Sequence, residues 1–135
     1  MSLFEWSNDY SVGVPSIDTE HRRLVDLLNE LHDCMTAGKA AEQLASILEG
    51  LVAYTTDHFR HEEELFAQHG FPDAQSHTEE HRRLVEQVLT LQGKLARHEA
   101  TLTIELLRFL KNWLIKHILG ADKAYGPFLV ERRVP

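Results

Sequence analysis

Between Tyr54 and Leu65 the chain reads YTTDHFRHEEEL, and two metal-capable side chains stand there on a stripe that is otherwise apolar. Counting back from His58, the residues Tyr54, Leu51, Ile47 and Leu44 recur at steps of three and four, the spacing of a buried helix face. His58 continues that stripe, and Glu62 follows at i+4, one turn further along the same face. An ionised carboxylate on a core face must find a metal, a basic partner or a proton, because burying the charge alone is very costly. The stripe offers no Lys or Arg. A hydrogen-bonded core histidine beside a Glu that leans out to water would satisfy this pair taken alone, so the rest of the chain has to decide.

The same periodicity recurs along all 135 residues, a length that suits one compact domain. Ile17, His21, Leu24, Leu28, Leu31 and Met35 form one stripe, with Ser16 as the expected N-cap after Pro15. His77, His81, Leu84, Val88, Leu91 and Leu95 form another, with Asp73 as the expected N-cap after Gly70-Phe71-Pro72. Leu106, Leu110, Trp113 and His117 form a fourth that stops near Gly120. The expected spans are helices at about 16–36, 41–69, 74–97 and 102–119, an extended N-terminal arm over 1–15 pinned by Phe4 and Trp6, and an irregular tail over 123–135 marked by Gly126 and Pro127. Four such helices with short connections predict an all-α, antiparallel up-down-up-down bundle, an architecture that builds metal sites from side chains of facing helices.

An internal repeat ties the histidines together. EHRRLV occurs at 20–25 and again at 80–85, relating His21 to His81 by a shift of 60, and nearly the same shift takes His58 to His117. The carboxylate repeats as Glu62 and Asp122. His117 to Asp122 is i+5, which a regular helix would splay, so a loosened turn around Leu119 and Gly120 is expected to swing Asp122 inward. His77 breaks the symmetry, because its counterpart is Ile17. Two six-coordinate metals would offer about twelve positions; five histidines, two bridging carboxylates and one solvent-derived bridge fill all but one. The vacancy falls on the metal held by His21 and His58, and a vacancy is where a small molecule binds. His32, His61, His69 and His98 fall off the stripes and read as surface residues; His61, beside Glu62, is the one rival ligand.

H21, HFRHE at 58–62, HTEEH at 77–81 and HILGAD at 117–122, with W6 ahead and WLIKHI leading into the last motif, resemble the hemerythrin family, specifically its single-domain bacteriohemerythrins. The resemblance implies two non-haem irons, Glu62 and Asp122 bridging them with an oxo or hydroxo group, and reversible dioxygen binding at the vacant iron, as a carrier, store or delivery protein and not as an enzyme. It also implies that Ile17, Leu24, Phe59, Trp113, Leu114 and Ile118, placed by their spacing from the ligands, line the oxygen pocket. Spacing by itself indicates two metals and leaves their identity open. A ferritin-like di-iron oxidase would want Glu-x-x-His on two helices, and only Asp18-x-x-His21 approximates it. An oxygen or redox sensor and a scavenger of iron or nitric oxide remain alternatives.

Composition narrows the partners. A formal charge of -7 without a basic run argues against nucleic acid. The lone Cys34 and an N-terminus without a signal-like pattern favour a reducing, cytoplasmic setting, and no apolar run is long enough to enter a membrane. A monomer is expected, with dioxygen as ligand and an oxygen-consuming protein as a candidate partner.

Overall fold

The computed structural model describes residues 4–38, 41–97 and 104–135. It forms an antiparallel bundle of four long helices, α1 (Pro15–Thr36), α2 (Ala41–His69), α3 (Ala74–Ala96) and α4 (Ile104–Lys116), and there is no strand among the described residues. The helix break expected near 98–101 and the helix start expected at 102 lie outside the described residues. Among the described residues no helix is long and apolar enough to cross a membrane.

Two local expectations are corrected. Helix α1 begins one residue early, with Pro15 in its first turn and extended Val14 as the N-cap, because proline's fixed φ and missing N–H suit the first helical position better than Ser16 suits a cap. Asp73 precedes α3 as foreseen, but its side chain makes no capping bond, and its backbone carbonyl accepts the His77 N–H instead. Gly38 and Gly70 take left-handed φ values of 70° and 72° where α1 and α2 end, which ordinary residues adopt only with strain.

The N-terminal arm carries one 3-10 turn, Asn8–Tyr10. Phe4 is buried, and the Asn29 amide holds its backbone from both sides, accepting its N–H at 2.9 Å and donating to its carbonyl at 2.7 Å. Asp18 ties the arm to the first turn of α1 by accepting the Val12 N–H at 2.8 Å.

The largest correction concerns the C-terminus. A π-helical turn, His117–Asp122, follows α4 directly, and a fifth helix, α5 (Lys123–Glu131), stands where Gly126 and Pro127 predicted an irregular tail. Tyr125 and Leu129, one turn apart, are fully buried, and packing them outweighs the low helix propensity around them. Gly126 is needed for close approach, since a Cβ there would lie 2.4 Å from the Val12 carbonyl oxygen.

The core divides into two apolar clusters. The larger runs from Phe4 through Leu24, Leu28, Leu31, Leu48 and Leu51 to Leu107, Leu114 and Ile118. The smaller closes one end with Val12, Val14, Ile17, Leu65, Phe66, Tyr125 and Leu129. Ile17 precedes His21 by one turn and Leu24 follows it by one, so the buried histidines lie between the clusters.

Candidate metal centre

Each helix delivers its polar residues where its sequence puts a buried position. On α2 the buried run Leu51, Val52, Thr55, His58, Phe59, Glu62, Leu65, Phe66 advances in steps of one and three, so His58 and Glu62 share the inner face. His21 from α1, His77 and His81 from α3, and His117 and Asp122 from the π-turn meet them, and all seven are buried. The loosened turn foreseen around Leu119 and Gly120 is this π-turn: it closes the i+5 interval so that His117 Nε2 stands 3.0 Å from Asp122 Oδ1.

All five imidazoles turn Nε2 inward. His21 Nε2 lies 2.9 Å from Asp122 Oδ2, His58 Nε2 2.8 Å from Glu62 Oε1, and His77 Nε2 3.1 Å from Asp122 Oδ1. His81 Nε2 stands 3.6 Å from Glu62 Oε1. Despite these distances none of the five Nε2 atoms and none of the four carboxylate oxygens has a hydrogen bond of acceptable geometry. Nine buried polar atoms thus converge with no hydrogen bond among them, and either protons on the rings, which would make them ion pairs with the carboxylates, or bound cations must balance them. They fall into two groups whose donor atoms lie within 4.8 Å of one another, Glu62, His77, His81, His117 and Asp122 in one, His21, His58, Glu62 and Asp122 in the other. Both carboxylates belong to both groups. The donor set therefore fits two cations that share two carboxylates, one with three histidines and one with two.

The electrostatics of the protein groups alone are those of a crowded charge cluster. Burial pulls the His58 imidazole down, but the Glu62 and Glu20 carboxylates outweigh it and hold it at about 9. His117 is held at about 10, with Asp122 and then Glu80 overcoming the same burial. His81 goes the other way, to about 2, through burial and the neighbouring His117 and His77. Asp122, which burial would raise, is kept well below the usual carboxylate range by His117, His21 and His77.

Three features were missed in the sequence. Glu20 accepts the His58 Nδ1–H at 2.6 Å and also meets His61 Nδ1 at 3.0 Å, so His61 is half-buried against α1. Glu80 meets His117 Nδ1 at 3.2 Å. The repeat EHRRLV carried this signal, since Glu20 and Glu80 are its first residues. The third is Tyr125, whose hydroxyl is buried without a partner; burial and then Glu62 and Asp122 push its phenol well above the ordinary tyrosine range.

The six residues expected to line one pocket are distributed on both sides of the histidine layer. Leu24, Leu114 and Ile118 lie in the larger cluster and Trp113 packs at its margin, partly buried, whereas Ile17 lies in the smaller cluster with Phe66 and Tyr125. Spacing from a ligand gives depth along a helix, and residues before and after His21 fall on opposite sides of it. Phe59 stacks on His81, ring centroids 3.8 Å apart, and meets His117 edge-on at 5.3 Å.

Comparison with known proteins agrees with this architecture. The profile described as hemerythrin HHE cation binding domain matches residues 12–129. The chain is 34% identical to a bacteriohemerythrin of Methylococcus capsulatus over 130 residues, 96% of this chain and 98% of that protein. It is 33% identical to a hemerythrin-like protein of Naegleria gruberi, with 92% of each covered. A crystal structure of wild-type hemerythrin superposes with a TM-score of 0.87 at 33% identity, covering 93% of this chain and 97% of that one.

Proposed function

The chain belongs to the hemerythrin family, and from that premise we propose that it binds dioxygen reversibly at a pair of non-haem irons. His77, His81 and His117 would hold one ion and His21 and His58 the other, with Glu62 and Asp122 and an oxo or hydroxo group bridging them. The observation that carries this reading is the convergence of nine buried, unsatisfied donor atoms in two groups that share both carboxylates. When bound, two ferrous ions supply the electrons that dioxygen takes up and gives back on release.

The chain's own part is to bind, orient and exclude water. With two histidines against three, the His21 and His58 half keeps the open position. Leu24, Phe59, Leu114 and Ile118 are buried around the histidines, and a dry wall of this kind admits a small diatomic and keeps out water and reductants. Once all seven donors hold metal, none of them is free as a general acid or base, which favours carriage over turnover. The oxidase reading weakens further at Asp18: its carboxylate accepts the Ser11 hydroxyl and the Val12 N–H and so serves the arm, leaving no Glu-x-x-His equivalent on α1.

The test is anaerobic reduction of the iron-loaded protein followed by exposure to air and then to vacuum. A visible absorption band that appears and disappears reversibly supports carriage. Irreversible bleaching with net consumption of oxygen would point to an oxidase instead.

A further inference from the structure

We propose that Glu20 and Glu80 are positioning residues that orient His58 and His117 through Nδ1, and that Glu20 is the firmer of the two because it serves the half of the centre with fewer histidines. This rests on the two-metal reading above. A carboxylate can only accept, so the ring nitrogen facing it must carry the hydrogen, which leaves the Nε2 lone pair of the same ring for the centre. Glu20 and Glu80 occupy the same place in the repeat, one residue before His21 and His81, and each reaches across to the histidine of the following helix.

The two arms are equivalent in sequence and unequal in structure. Glu20 stands 2.6 Å from His58 Nδ1 with its side chain 24% exposed, while Glu80 stands 3.2 Å from His117 Nδ1 with its side chain 46% exposed. The difference has a visible source. His61, one turn after His58, approaches Glu20 Oε2 at 2.9 Å and gives that carboxylate a second anchor. Under the shift that takes His58 to His117, the counterpart of His61 is Gly120, which has no side chain to offer. A carboxylate held by two histidines loses less freedom when it orients the ligand ring, and a preorganised ring costs less to coordinate. The half that lacks a third histidine thus has the better-supported second one.

The test compares Glu20→Ala, Glu80→Ala, His61→Ala and Glu20→Gln with the parent protein, by anaerobic titration with ferrous ion and by chelator competition. Zinc-loaded samples report in parallel, through histidine nitrogen NMR, which half is vacated and whether the His58 Nδ1–H is protected from exchange. The parent should take up two ions. Glu20→Ala should weaken retention of the ion held by His21 and His58 by about 10- to 100-fold and expose the His58 Nδ1–H, the effect typical of losing a carboxylate behind a ligating histidine. Glu80→Ala should weaken the other ion by less than about tenfold, and His61→Ala should fall between the parent and Glu20→Ala. Glu20→Gln keeps an accepting oxygen and should restore both Nδ1–H protection and most of the retention, an outcome that a packing role for Glu20 would not require. If the parent binds two ions while Glu20→Ala and Glu80→Ala lose them equally, or the order is reversed, the proposal is overturned and the two-metal reading stands. A parent that fails to bind two ions overturns both. Should Glu20→Ala not fold, Glu20→Gln and His61→Ala decide alone, since parental retention with an unprotected His58 Nδ1–H would refute the positioning role.

Discussion

Loading the metal-free protein with ions at several pH values tests the charge state of the centre. Without metal, His58 is held at about 9 and His117 at about 10, so both carry protons at pH 7. Coordination requires them neutral, so uptake of two ions must expel about two protons from these rings, and the combined affinity should rise about a hundredfold per pH unit between pH 7 and 8. His81, held at about 2, adds nothing to this release. Through pH 9 to 10 the release should fall towards zero as the rings deprotonate unaided. Stability follows the same linkage with a definite sign. A histidine whose folded value is raised stabilises the metal-free fold fully below about 6.5, the unfolded value, and this is lost as pH rises through 9 and 10. Each such ring contributes a slope of up to about 1.4 kcal/mol per pH unit over its window. The metal-free protein should therefore melt progressively lower from pH 7 to 10 while the loaded protein does not, and the gap between them should widen by several degrees. Calorimetry in buffers of different ionisation enthalpy counts the protons, and thermal melts of both forms give the gap. No proton release at pH 7, or a gap that narrows with rising pH, would refute the assignment of His58 and His117 to the centre.

Further substitutions probe separate parts of the fold. Ile17→His places an imidazole at a fully buried position one turn before His21 and should leave both ions bound while abolishing the reversible oxygen band; parental oxygen binding in this variant would move the open position elsewhere. His77→Ala should open a second position and weaken the ion it helps to hold, read as metal content below two per chain after dialysis. Gly126→Ala drives a Cβ to 2.4 Å from the Val12 carbonyl and should cost about 1–3 kcal/mol in chemical denaturation, the range for forced backbone shifts, with the ligands themselves untouched. Gly120→Ala, by contrast, meets open space and carries no left-handed φ, so it should keep both ions and gain up to about 1 kcal/mol in stability; loss of metal would mean that the π-turn depends on glycine's freedom.

The convergence of these seven buried residues was legible because a histidine or carboxylate on an apolar stripe is an anomaly that a helix cannot hide, and the repeat at 20–25 and 80–85 multiplied one anomaly into a pattern. The i+5 spacing of His117 and Asp122 was legible for the same reason, as a distance that a regular turn could not close. Glu20 and Glu80 were not, since a half-exposed acidic residue beside a ligand looks like any solvated face until the opposite helix is placed. Helix α5 was hidden by Gly126 and Pro127, whose local preferences count against a helix; the deciding interactions are long-range, Tyr125 and Leu129 packing against Val14, Ile17 and Phe66. The division of the expected pocket follows from the same limit. A single helix ranks residues by depth and face, but only the assembled bundle says which cluster each side of the histidine layer belongs to.

A duplicated helix pair would by itself build two equal metal half-sites, and equal half-sites would leave no reason for a small molecule to prefer one. Three departures break the equality here. Ile17 stands where the other half has His77, His61 stands where the other half has Gly120, and Asp122 at i+5 stands where the other half has Glu62 at i+4. The last two are coupled through the π-turn. Aspartate is one methylene shorter than glutamate, so it reaches the centre only if its backbone is brought inward, and the extra residue in the turn does this. The same extra residue rotates everything after Asp122 by about 100° relative to an uninterrupted helix, at 3.6 residues per turn. Past the turn, Tyr125 and Leu129 pack with Ile17 and Phe66. The shorter carboxylate and the π-turn thus go together, and the helix that follows packs against Ile17, the residue that stands where the other half has His77.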